Sequence, residues 1–169
     1  MQHTLSVVVE DKPGVLARIS AMFSNRGFNI HSLAVGPTHQ EGRSRITLVV
    51  DAPALEQLKK QLNKMVNVIK VQEMESSEAL EREVMIARIS APPASRGEVR
   101  DTASLFDARV IDISATAMTF EVSGTPQQLS TFLDHLGPYG VIDLVKSGRI
   151  AMKRESELTP SLVAAGVGK

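Results

Sequence analysis

Residues 10–36, EDKPGVLARISAMFSNRGFNIHSLAVG, decide how this chain folds. They read as a strand end, a Pro-Gly turn, one amphipathic helix, a glycine stop and a second strand. Pro13 fixes its own φ, and Gly14 lets the backbone turn closely with no side chain in the way. Val15, Leu16, Ile19, Met22 and Phe23 recur on one helical face, with Arg18, Ser20, Ser24 and Asn25 on the other. Gly27 is expected at the C′ position that ends the helix. Asn29 opens the next strand and is expected to return close to the Asp11–Gly14 turn. A polar turn, a helix N-terminus and Asn29 would then meet at one spot suited to a small zwitterion.

Working outward, Leu5, Val7 and Val9 alternate with polar neighbours, which predicts a half-buried strand before the turn. Pro37 to Gly42 reads as a polar loop, and Arg45 to Asp51 (RITLVVD) as a third strand. Pro53 suits a first helical turn, and Leu55, Leu58, Leu62 and Met65 make a second amphipathic helix. Val68, Ile69 and Val71 mark a fourth strand. This order is a split βαβ, or ferredoxin-like, βαββαβ unit. Glu75 to Glu83 is acidic and poor in large apolar residues, and reads as a solvated linker.

The second half repeats the order with little identity between the halves. Val84 to Ala91 is a strand broken by Pro92-Pro93, and Ser95 to Phe106 a helix burying Val99, Ala103 and Phe106. Arg109 to Ser114 and Met118 to Ser123 are adjacent strands. Thr125 can cap a helix whose apolar face is Leu129, Phe132, Leu133 and Leu136. Gly137 and Gly140 bracket the turn into a last strand, Val141 to Met152. The fold class is therefore α+β, two ferredoxin-like domains in tandem: 1–77, then 78–153, with a charged, then small and glycine-rich tail at 154–169 expected to be mobile.

Composition narrows the functions. The 169 residues carry 19 basic and 19 acidic side chains, a formal net charge of zero. That balance disfavours a broad nucleic-acid or anionic-membrane surface. No cysteine is present, which removes thiol catalysis, disulfides and thiolate metal sites. No apolar run approaches the roughly 20 residues of a membrane span, so a cytoplasmic location is expected. The four histidines (His3, His31, His39 and His135) show no metal-ligand spacing. No phosphate loop, nucleophile elbow or acid/base pair emerges, so no catalytic centre is expected. An RNA-recognition module, the other common use of this element order, needs stacking aromatics on its central strands. The strands LSVVV and RITLVV carry none.

What remains is the turn. Its plain reading is a strand-to-helix connection with Asp11 bonded to nearby backbone donors. Its functional reading places a ligand carboxylate on the orphan N–H groups of the helix start, with Asp11 meeting an ammonium and Asn29 bridging both. Arg43 and Arg45 read as solvated surface.

The D-K-P-G-V-L turn followed by G-F-N-I resembles an ACT domain, a family of small-molecule regulatory modules. PGVLARISAMFSNRGFNIHSLAVGPT, SRITLVV, LEQLKKQLNKMVNVIKV and EREVMIARI together resemble the small regulatory subunits of acetolactate synthase, up to about residue 153. The resemblance implies a non-catalytic subunit that activates a separate large catalytic subunit and confers feedback inhibition by valine in branched-chain amino-acid synthesis. It implies that thiamine diphosphate, Mg²⁺ and FAD sit on that large subunit, with no cofactor here. It implies a homodimer joined through the ACT domains, with effector sites at the seam. By position the valine-contacting set is Asp11, Gly14, Val15, Leu16, Asn29 and Ile30. Family members often have Asn where this chain has Asp11, whose carboxylate favours the ligand's ammonium and repels its carboxylate. A stand-alone amino-acid sensor and a ligand-gated DNA regulator are the rivals. The second needs a basic arm or helix-turn-helix that the chain does not present. The purified chain, free of large subunit, is expected to make no acetolactate from pyruvate, which a colorimetric product assay checks.

Overall fold

The structure is a computed structural model that describes residues 2–155; the tail expectation falls mostly outside these residues. The first unit contains β1 (Gln2–Glu10), α1 (Val15–Ser24), β2 (Asn29–Pro37), β3 (Arg43–Asp51), α2 (Leu55–Asn63) and β4 (Val68–Met74). Its four strands lie in the order β2-β3-β1-β4, with each neighbouring pair antiparallel. Alternation explains the layering. Leu5, Val7 and Val9 of β1 and Ile46, Leu48 and Val50 of β3 point to the helix side, where Val15, Ile19, Phe23, Leu58 and Leu62 close the core. Burying each such large side chain stabilises by roughly 1.5–3 kcal/mol.

Gly27 ends α1 as expected. It adopts φ +69°, its N–H donates to the Ser24 carbonyl, and the Phe28 N–H donates to the Phe23 carbonyl, both at 3.1 Å. This pair of bonds is a Schellman stop, and the Phe23 and Phe28 rings seal it edge to face at 6.4 Å. Pro53, by contrast, lies just before the N-cap residue Ala54 rather than inside α2.

The second unit repeats the plan with β5 (Ala79–Ser90), α3 (Arg96–Ser104), β6 (Arg109–Ile113), β7 (Ala117–Gly124), α4 (Pro126–Leu136) and β8 (Val141–Lys146). Its strand order, β6-β7-β5-β8, matches that of the first unit position for position. Thr125 caps α4 as expected: its hydroxyl accepts from the Gln128 N–H, and the Gln128 side chain accepts from the Thr125 N–H. That reciprocal pair is a capping box.

Two expectations are corrected. The acidic stretch is not a linker through Glu83, because β5 begins at Ala79, and Glu83 is buried. The last strand is not continuous to Met152. It breaks at Ser147–Arg149, and Ile150–Lys153 forms a separate strand, β9, paired with Ala79–Arg82. This short β5–β9 ribbon lies over the face of the first sheet that the helices leave open. Thr4 and Glu81 side chains meet there at 3.1 Å, the Arg149 N–H donates to the Ser32 hydroxyl at 2.8 Å, and its guanidinium reaches Thr4 at 3.2 Å. A solvated Glu run was expected because Glu81 finds its partners, Thr4 and Arg149, only far along the chain.

Gly148 marks the tightest approach. It has φ +85°, and a Cβ there would stand 2.7 Å from the Leu33 carbonyl oxygen. Gly27 has a similar φ but open space around the missing Cβ. Left-handed strain alone costs an alanine about 1–2 kcal/mol. Gly27→Ala is therefore expected to cost about that much in urea unfolding, and Gly148→Ala clearly more. Equal losses would mean that Gly148 does not rest on β2 in solution.

Candidate functional site

The turn is built from the end of β1. The Asp11 N–H donates to the Gly42 carbonyl at 2.8 Å and the Lys12 N–H to the Glu10 carbonyl at 3.0 Å, which fixes the chain's exit from the sheet. Gly14 then adopts φ +81° as the N-cap of α1, with no side chain capping the first turn. Its carbonyl accepts from the Arg18 N–H at 3.0 Å, and a Cβ at Gly14 would meet nothing within 4 Å. The Val15 N–H donates to the Lys12 carbonyl at 3.4 Å, and the N–H groups of Leu16 and Ala17 follow uncapped by any side chain beside an open space, a suitable place for a carboxylate.

The predicted residues divide between two places. Asp11 and Gly14 are exposed at this turn, and the Asp11 carboxylate has no partner among the described residues. It does not bond the local backbone donors that the plain reading assigned to it. Val15 is buried in the core, so only its backbone faces the turn, while Leu16 is 38% exposed. Asn29 and Ile30 are elsewhere. Asn29 pairs with Asp51 at one end of β3, whereas Glu10 pairs with Arg43 at the other. Eight residue steps of strand separate those rungs, about 26 Å at roughly 3.3 Å per step. The expectation that Asn29 returns to the turn within one chain is therefore overturned: β1 and β2 run the same way, so α1 carries the chain back to the opposite end first.

Around Asn29 the polar groups form their own cluster. The His31 Nε2 lies 2.6 Å from the Asp51 carboxylate, and the Asn29 Nδ2 lies 3.4 Å from the same ring nitrogen. The hydrogen bond from His31 is the main cause that holds the Asp51 carboxyl below its ordinary value. A register shift between Ile30 and Ser32 turns His31 out of the ladder. Ile30, Leu33 and Val35 fall opposite Val50, Leu48 and Ile46, on the helix side of the sheet. Yet Leu33 and Val35 stay 37% and 49% exposed because β2 is the sheet's edge.

A second concavity was not read from the sequence. A cavity of about 390 Å³ lies between β2 and β3 on one side and the β5–β9 ribbon on the other. Arg45 lines it, half-buried, rather than standing in solvent as expected. No local pattern could have announced it, because its walls come from three stretches that are distant in sequence, at 34–47, 80–82 and 150–152. Among the described residues no group of three or more His, Asp or Glu side chains could hold a metal ion, and no helix is long and apolar enough to cross a membrane.

Comparison with known proteins agrees with this architecture. Residues 5–70 match the family described as the AHAS small subunit-like ACT domain, and residues 82–155 match the small subunit of acetolactate synthase. The acetolactate synthase small subunit of Mycolicibacterium smegmatis is 49% identical over 155 residues, 90% of this chain and 91% of that protein. A probable acetolactate synthase small subunit of Archaeoglobus fulgidus is 45% identical over 91% of this chain and 98% of its own. The crystal structure of the acetolactate synthase small subunit from Thermotoga maritima superposes with a TM-score of 0.82 at 29% identity, covering 91% of this chain and 98% of that one.

The turn carries a pH signature. Glu10 is held below its ordinary value of 4.5, first by the hydrogen bond from Lys12 and then by that from Asn67. A depressed folded value stabilises above the ordinary one, and the contribution is lost as pH falls through the folded value. The stability difference between the wild type and Glu10→Gln, measured by urea unfolding, should be largest near neutrality and close below pH 4.5. A difference that does not change with pH would count against these contacts.

Proposed function

The chain belongs to the acetolactate synthase small-subunit family, and from that membership we propose that it is the regulatory subunit that activates a large catalytic subunit and makes it sensitive to valine. The chemistry, with thiamine diphosphate, Mg²⁺ and FAD, belongs to the large subunit. Residues 1–77 bind the effector and pair two chains, and residues 78–153 form the second domain.

The observation that carries the reading is the separation of the site's two halves. The outer edge of β2 has no strand partner among the described residues. Leu33 and Val35 beside it leave apolar surface uncovered. Two chains related by a two-fold axis would set their β2 edges antiparallel, so the Asn29 end of one chain approaches the Pro37 end of the other. That is the end at which the partner's β1 finishes and its Gly14 turn begins. In the proposed site the uncapped N–H groups after Gly14 take the valine carboxylate and Asp11 meets the ammonium. Asn29 of the second chain bridges the polar groups, and Leu16 with Ile30 encloses the isopropyl group.

Gly14→Asp tests this. The new carboxylate would stand about 4 Å from the ligand's, repelling it by roughly 4 kcal/mol at an effective dielectric near 20. Each 1.4 kcal/mol is about tenfold, so valine binding by calorimetry is expected to weaken about a thousandfold. Activation of the large subunit should be largely kept. Gly14→Ala shares the strain of a positive φ without the charge and should weaken valine by no more than about tenfold. A two-chain site makes a sharper demand. Gly14→Asp and Asn29→Ala each inactivate both sites of their own homodimer. A mixed dimer places both lesions in one site and leaves the other intact. Mixing the two variants should thus restore valine binding to part of the population. No restoration in verified mixed dimers would overturn the two-chain site.

A further inference from the structure

We propose that the groove between the open face of the first sheet and the β5–β9 ribbon is a second ligand site, taking a small organic anion with an apolar body. The cavity of about 390 Å³ falls within the roughly 300–1,000 Å³ usual for small-molecule sites. That size suits a small molecule, which is the occupant proposed. Thr47 and Arg45, two apart on β3, share the face that forms its floor, and the ribbon opposite supplies Leu80, Ile150 and Met152. These three side chains are 44%, 59% and 59% exposed. Large apolar groups left uncovered along one concave wall are what an apolar ligand would cover.

Charge specifies the other end of the ligand. Arg45 and Arg82, the two cations of the groove, meet no carboxylate among the described residues. Arg82 donates only to the Glu81 carbonyl, at 2.8 Å. Among the described residues Arg45 makes no side-chain hydrogen bond, and its Nε is buried without a partner. Two guanidinium groups without counter-ions, one of them half-buried, favour a carboxylate, which guanidinium recognises by paired N–H donors. The Thr47 hydroxyl, on a residue only 3% exposed, adds a neutral donor. The ligand is therefore a monocarboxylate with an apolar tail. It would touch both units at once, because β2 and β3 belong to the first and β5 and β9 to the second. The groove's floor, Arg45 and Thr47, lies on the opposite sheet face from the helix side that the effector proposal uses, while its rim at Val35 to Pro37 reaches the β2 edge; the inference does not depend on that proposal.

Octanoate is the probe, titrated by calorimetry into the full chain. Acetate supplies the same charge without a tail, and 1-octanol a similar tail without charge. Saturable octanoate binding is expected, with neither control saturating in the same range. Arg45→Met should weaken octanoate at least tenfold and Arg45→Lys less, since the lysine keeps a positive charge. Because Arg45 is half-buried, Arg82→Met at the exposed rim is a second test that does not risk the fold, and it should also weaken binding. Saturating valine should leave octanoate binding unchanged. No saturable octanoate binding would overturn the site. So would wild-type octanoate affinity in both Arg45→Met and Arg82→Met, or binding of 1-octanol as tight as octanoate. Displacement of octanoate by valine would show the groove to be the effector site itself, and would overturn the two-site inference while leaving valine binding intact.

Discussion

A four-stranded sheet has two faces, and among the described residues each unit has two α-helices, enough to cover one. What happens at the uncovered face organises the rest of the molecule. In the first unit that face carries Thr4, Ser6, Thr47 and Val49, all buried. They are covered because β5 starts early and β9 returns late, and the two close over them as a ribbon. Buried hydroxyls without partners would each cost on the order of 1–3 kcal/mol. Thr4 is satisfied by Glu81 and Arg149. In the second unit nothing among the described residues takes the same role, and Val84, Ile86 and Val145 remain 41%, 38% and 60% exposed. The two units are alike in topology and unlike in which surfaces they leave for others.

The elements were legible where the information is local. Periods of two and of three to four identified the strands and helices of both halves, since the same alternation that marks Leu5, Val7 and Val9 also buries them. Gly27 was legible as a stop because only a residue free at positive φ suits a Schellman turn. The same turn recurs after α3 with Asp107 at φ +55°, where no glycine signals it. There the Ala108 N–H reaches the Ala103 carbonyl at 3.4 Å and the Asp107 N–H the Ser104 carbonyl at 3.1 Å.

What was not legible depends on partners far along the chain. Glu81 and Glu83 look solvated until Arg149 and Lys146 are brought beside them, at 3.5 Å and 3.8 Å. The break at Ser147–Arg149 has a glycine as its only local sign, and its cause is the approach of that backbone to β2. The candidate site shows the limit most clearly. Residue types at the turn and at Asn29 suggested the chemistry, and the strand-turn-helix reading grouped them at one spot before the resemblance added Val15, Leu16 and Ile30. Their distance follows from the direction of β2, which a split βαβ unit sets through its crossover. A helix of ten residues at about 1.5 Å each spans roughly 15 Å. It returns the chain toward the end of the sheet opposite the turn, so a site built from both ends of these strands needs a second copy of the strand.

β2 is engaged along its outer face and, in the effector proposal, along its edge as well. Its free edge is the surface that the effector proposal joins to a second chain. On its outer face the Ser32 hydroxyl accepts from the Arg149 N–H, and the Leu33 carbonyl lies directly under Gly148. Adjacency alone does not make a signal path; both sites must bias one element with two arrangements. The contact at Gly148 does exclude one possibility, that β2 shifts toward the ribbon while the ribbon stays still. There is no side chain between the two backbones to change rotamer, and packed interiors yield little to compression. A displacement of β2 in that direction must therefore carry residues 147–149 with it. Through Ser147, whose hydroxyl accepts from the Val84 N–H at 3.0 Å, it acts on β5, the central strand of the second unit.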